Sequence, residues 1–156
     1  EPIAAIACTQ LAKAEYVIST RRHIGLELCD MVKDVPWITP HVDQPGCHHV
    51  YYLWTALIDS PARRGELVHR LVERGVPIRG RYAPLLHKLF KTPDECPVVE
   101  AVDRHIIVFE VCAYDLKIPH MVRLREIIKR VTGEMDDNGL GITASGVSEA
   151  IGSDSN

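Results

Sequence analysis

The chain has 156 residues, 46% of them hydrophobic and 25% charged. That is one ordinary domain with enough apolar side chains for a packed core, which excludes a multidomain machine and disorder along the whole length. Its 18 Lys+Arg against 21 Asp+Glu give a formal charge of −3, so no strong positive field invites nucleic acid or anionic lipid.

The most apolar runs, Val50 to Ile58 and Ile106 to Val111, fall far short of the roughly 20 residues that cross a bilayer. Neither a membrane nor a nucleic acid is therefore an expected partner. Cys8, Cys29, Cys47, Cys96 and Cys112 are scattered and lack a C-x-x-C pair, a pattern that fits reduced thiols and a cytoplasmic location. The chain opens on Glu1 without a signal-peptide pattern, as a piece of something longer would.

Pro2 suits a first helical position, and no further proline occurs before Val35-Pro36. The pattern predicts one long helix carrying a stripe of Ile3, Ala7, Leu11, Ala14, Ile18, Gly25, Leu28 and Val32. Small residues on that stripe permit close approach by a partner, and a missing domain is the expected one. Pro36, Pro40 and Pro45 read as an extended connector.

An α+β unit is expected next. His49 to Leu57 is rich in aromatic and β-branched residues and reads as a central strand. Asp59-Ser60-Pro61 supplies a cap, and Gly75 a left-handed stop, for a helix over Pro61 to Arg74. Val76 to Arg81 is a short strand pushed to a sheet edge by Pro77. A loop follows, and then a short helix from Cys96-Pro97 to about Arg104.

Ile106 to Val111 forms the third strand. A last helix from Pro119 presents Met121, Leu124, Ile127, Ile128 and Val131 on one side and stops at Gly133. The fold class is α+β: a small antiparallel or mixed three-stranded sheet with helices on one face, preceded by the long helix. The division is residues 1–34 as an interdomain helix, 35–132 as the α+β domain and 133–156 as a flexible tail.

Cys47-His48-His49 offers soft donors, but neighbouring residues entering a strand point to opposite faces and no second ligand pair follows, so no metal site is assigned. G-x-S-x-G, H-E-x-x-H, the P-loop pattern and G-x-G-x-x-G do not occur, and no residue is assigned as catalytic. The distinctive stretch is Gly75 to His87. Within it Arg79 and Arg81, two apart on one strand face, would make a fork for phosphate or carboxylate, with Tyr82 and His87 adding hydrogen bonds. A solvated edge strand is the plainer reading of the same residues.

Four segments resemble, in order, the C-terminal part of the pyridoxal-phosphate-dependent sugar aminotransferases of the DegT/StrS type. They are Glu1-Pro2-Ile3-Ala4-Ala5-Ile6-Ala7 with Gln10-Leu11 and Arg21-Arg22; His48-His49-Val50-Tyr51-Tyr52; Leu71 to Gly75 with Tyr82 and Pro84-Leu85-Leu86-His87; and Cys96-Pro97-Val98-Val99-Glu100. The resemblance covers Glu1 to Val131. Ile107 to Cys112 departs from the family's small-residue, proline-rich turn, leaving the substrate class open.

The resemblance implies the small domain of a fold type I aminotransferase, a homodimer that moves an amino group from glutamate or glutamine to a keto-sugar or keto-cyclitol. It implies Tyr82 and His87 as substrate-side contacts, with Arg79 and Arg81 joined to them by proximity. Pyridoxal phosphate would be held by the large domain that precedes this region in the family. None of Lys13, Lys33, Lys88, Lys91, Lys117 and Lys129 matches the family's Schiff-base lysine, so this chain alone is expected to be inactive. The alternative is a stand-alone module that binds an anionic metabolite or a protein segment.

Overall fold

The computed structural model describes residues 2–93, 95–111 and 118–137. Among them the order is α1 (Pro2–Leu11), α2 (Ala14–Val32), β1 (Ile38–Pro40), β2 (Leu53–Ile58), α3 (Pro61–Glu73), β3 (Ile78–Arg79), α4 (Leu86–Leu89), α5 (Pro97–His105), β4 (Ile106–Glu110) and α6 (Ile118–Asp137). The α+β class holds. The sheet has four antiparallel strands in the order β1-β2-β4-β3 rather than three.

The additional strand lies in the proline-punctuated connector. Ile38 pairs with Ile58 and Pro40 with Ala56, and proline is tolerated there because β1 is an edge strand with no second neighbour to receive its missing N–H. Trp37 and Ile38, both buried, anchor the segment to the core.

The central strand is shorter than expected. Tyr51 sits at φ 46°, a left-handed conformation that interrupts a strand, and its amide donates to His49 Nδ1 at 3.0 Å. The ladder therefore begins at Leu53. Pairing of Trp54 with Phe109 and of Ala56 with Ile107 puts these four, with Ile58, on one face of the sheet, all of them buried. The helices α2, α3 and α6 supply Ile24, Leu28, Leu67, Leu71, Leu124, Ile128 and Val131 to the same core.

Local signals set the ends of α3. Ser60 Oγ accepts from the Arg63 amide, with Pro61 in the first turn. Gly75 at φ 78° closes the other end. There the Val76 amide donates to Leu71 O and the Gly75 amide to Val72 O, the paired bonds of a Schellman stop.

Two helix boundaries differ from the sequence expectation. The long N-terminal helix is broken at Ala12-Lys13 into α1 and α2. Alanine and lysine are good helix formers, so propensity does not make the break; it falls in the stretch without cover, since α1 buries no residue and burial in α2 begins at Ile24. At the other end α6 runs through Gly133 to Asp137.

Tertiary contacts outweigh the glycine there. Met135 is buried, and Trp37 Nε1 donates to Asp136 Oδ1 at 2.6 Å. Residues 133–137 are thus helix rather than tail, and the rest of the expected tail lies outside the described residues.

Candidate functional site

The Gly75–His87 stretch leaves the sheet early. β3 ends at Arg79, so Arg79 and Arg81 do not form a shared fork. Arg79 lies on the strand and pairs with Glu110 of β4, its diagonal neighbour across the ladder. Arg81 turns away to α5, where its Nε and Nη2 grip Asp103 Oδ1 and Oδ2 at 2.8 and 2.5 Å. This is the bidentate geometry that guanidinium and carboxylate favour.

The loop then folds back onto the same helix. The short helix α4, unforeseen within this loop, brings His87 Nε2 within 3.0 Å of Glu100 Oε1 while Lys88 Nζ lies 2.9 Å from Glu100 Oε2. Glu100 and Asp103 are three apart on α5 and so share a face. That spacing, beside the C-P-V-V-E segment, is the one signal in the sequence that points to them. Lys88 and, second, His87 hold the Glu100 carboxyl below the ordinary glutamate range. Asp103 likewise raises the Arg81 guanidinium.

Between loop and helix lies a cleft of about 390 Å³ lined by Arg81, Pro84, Leu85, Lys88, Glu100 and Asp103, among others. His87 is mostly covered and held on Glu100, whereas Tyr82 is 59% exposed. The structure therefore brings Arg81 and His87 together on α5, leaves Tyr82 accessible at the surface and holds Arg79 on the sheet. The cleft's lining combines the charged Arg81, Lys88, Glu100, Asp103 and Arg104 with the apolar Pro84, Leu85 and Leu89, a mix that suits an amphipathic ligand.

Among the described residues no group of three or more His, Cys, Asp or Glu side chains is gathered as a metal ligand set. Cys47 and His48 are exposed, and His49 packs against His41 and edge-on to Tyr51. Burial and the neighbouring His41 lower the His49 pKa, which favours the neutral ring. Tyr51 is buried deeply enough that its phenol is pushed up to about 12, with Cys29 contributing next. These are the attributes of a packed aromatic cluster.

A cofactor aldehyde held as a Schiff base needs a lysine made nucleophilic by desolvation or by a neighbouring cation. The described lysines, Lys13, Lys33, Lys88, Lys91 and Lys129, are all exposed. Lys33 is raised by the adjacent Asp30 and Lys88 is ion-paired with Glu100. None of these described lysines has the desolvated setting that Schiff-base formation calls for. Among the described residues no helix is long and apolar enough to cross a membrane.

The sequence profile of the DegT/DnrJ/EryC1/StrS aminotransferase family matches residues 1–127. A dTDP-4-dehydro-2,3,6-trideoxy-D-glucose 4-aminotransferase of Saccharopolyspora spinosa is 30% identical over 102 residues, 64% of this chain and 26% of that protein. The aminotransferase TlmJ from Streptoalloteichus hindustanus has the same fold with a TM-score of 0.73 at 21% identity, over 85% of this chain and 36% of that one. PseC of Helicobacter pylori, an aminotransferase involved in the biosynthesis of pseudoaminic acid, gives 0.67 at 20% identity over 83% of this chain and 36% of its own. The chain thus spans about a third or less of the length of these relatives. From the span of that profile, and with the α+β fold of fold type I aminotransferases, the chain belongs to the DegT/DnrJ/EryC1/StrS aminotransferase family.

Proposed function

We propose that this chain is the C-terminal small domain, with its linking helix, of a pyridoxal-phosphate-dependent aminotransferase acting on a keto-sugar or keto-cyclitol. Residues 1–34 link it to the large domain, and residues from 35 onward form the small domain. The large domain supplies the cofactor and its lysine, and the assembled enzyme is a homodimer in the cytoplasm using glutamate or glutamine as amino donor. The similarity to an enzyme of a nucleotide-linked keto-sugar supports this substrate class.

One observation carries the reading: the Tyr82–His87 loop is folded onto α5 beside a cleft, with His87 held on Glu100 and Tyr82 left accessible. In this arrangement Tyr82 gives its hydroxyl to a sugar oxygen. His87, steadied by Glu100, offers a second polar contact at the substrate entrance. Arg81 and Lys88 set the charge of the rim, while Arg79 acts from the sheet edge as a more distant contributor. The apolar stripe of α1, with Ile3 and Leu11 exposed, is the face that docks on the large domain. A stand-alone module for anionic ligands is less well supported, because Arg79 and Arg81 are already engaged by Glu110 and Asp103.

The test is steady-state kinetics with the chain joined to its cofactor-binding portion. Tyr82→Phe and His87→Ala are expected to raise KM for a nucleotide-linked keto-sugar by roughly tenfold, the loss of about one hydrogen bond, with the cofactor spectrum unchanged. An unaltered KM in both variants would sink the reading.

A further inference from the structure

Where the substrate-side loop leaves the sheet, one side chain reaches across from α3. Arg64, in the first turn of that helix, donates through Nη1 to the backbone carbonyl of Gly80, the residue immediately before Arg81. Gly80 provides the room. A Cβ at this position would stand 2.6 Å from Arg64 Nη1, 3.3 Å from its Cζ and 3.8 Å from Val68 Cγ2, so a larger residue would displace the guanidinium or bend the chain.

Arg64 Nε is buried without a hydrogen-bond partner among the described residues. An unsatisfied buried donor is costly, and packing alone would be served better by an apolar side chain. The guanidinium is therefore best explained by the carbonyl it holds.

That carbonyl needs holding because the sheet does not do it. β3 is two residues long, and its pairing with β4 ends at Arg79. Residues 81–84 are exposed, so no core contact fixes their direction. Farther along, Arg81–Asp103 and His87–Glu100 tie the loop to α5, but they hold it beyond the point at which it leaves the sheet. At the base of the loop the Gly80 carbonyl is held by the charge-assisted bond from Arg64.

We infer that Arg64 is a positioning residue for the 81–87 loop: by gripping the Gly80 carbonyl from α3, it sets the angle at which Arg81, Tyr82 and His87 leave the sheet toward α5. Its functional consequence rests on the loop being substrate-facing. The positional claim can be measured without substrate.

The experiment is amide hydrogen exchange on the 156-residue chain, with the Glu100 carboxyl titrated by carbon NMR, in the native protein and in Arg64→Met. Methionine keeps an aliphatic stem and removes the donors. The amides of Lys88, Leu89 and Phe90, which donate to Leu85 O, Leu85 O and Leu86 O, are expected to exchange roughly tenfold faster, as for loss of one charge-assisted bond. The Glu100 titration is expected to move up toward the ordinary range, while amides of β2 and β4 keep native protection.

Unchanged exchange at residues 88–90 would overturn the inference. So would equal acceleration in β2 and β4, which would make Arg64 a general prop of the fold. Should Arg64→Met fail to fold, Gly80→Ala, which crowds the guanidinium from the other side, is read by the same criteria. Titration of the joined enzyme with a nucleotide-linked keto-sugar separates the two claims: no response at Tyr82 or His87, together with a loosened loop in the variant, sinks the substrate reading and leaves the role of Arg64 standing.

Discussion

The N-terminal segment carries one apolar stripe with two outcomes. On that stripe Ile3 and Leu11 of α1 are 82% and 75% exposed, whereas Leu28 and Val32 in the second half of α2 are 1% and 3% exposed. The residue types and helical spacing are alike, so periodicity identifies the face that wants cover without identifying what covers it. For α2 the cover is internal. A Cβ on Gly25 would fall within the Tyr51 ring, and Arg125 of α6 binds Glu27 and Asp30 at 2.7 and 2.9 Å.

The comparison is broken most forcefully in the covered region. Phe109→Ala, at a site 2% exposed, is expected to lower unfolding free energy by about 3–5 kcal/mol through lost burial and a residual cavity, as measured by urea denaturation. Gly25→Ala comes next, at about 1–3 kcal/mol for overpacking against a ring that has little room to retreat. A neutral result at Gly25 would mean that α2 and Tyr51 are less tightly packed than the structure has them.

The uncovered regions respond differently. The Glu100 carboxyl is depressed by Lys88 and His87, so its contribution is present above the ordinary glutamate value of 4.5 and is lost as pH falls through the lower folded value. Glu100→Gln is expected to flatten that part of the stability–pH profile, read by thermal melts at several pH values, without altering the core. An unchanged acid limb would show that the pairing contributes nothing. Smallest is Ile6→Ser in α1, expected to change the stability of this chain by no more than about 0.5 kcal/mol because no cover is lost; a larger loss would show that α1 is packed after all.

The same contrast explains what the sequence reveals. Caps and stops were legible where one residue settles the backbone, as at Ser60 and Gly75. Phe109 and its neighbours were legible because a run of apolar residues has one outcome in a small sheet. β1 is hidden by Pro40 within it and Pro36 before it, and the extension of α6 past Gly133 depends on Trp37 reaching Asp136, 99 positions away.

At the site, Tyr82 and His87 stood out by motif. Glu100, Asp103 and Arg64, which hold His87, Arg81 and the Gly80 carbonyl, are ordinary charged helix residues whose meaning appears only when the loop folds onto α5. The two-residue spacing of Arg79 and Arg81 makes a fork only where the strand continues; it ends at Arg79.

The proposal on which the rest depends is that the large domain, not these 156 residues, grips the cofactor. The direct test is to incubate the purified chain with an equimolar amount of pyridoxal phosphate, reduce with borohydride and map the modified peptides. The account predicts no stoichiometric labelling of any one lysine and no amino transfer by the chain alone. A single lysine labelled to completion, with transfer activity, would contradict it.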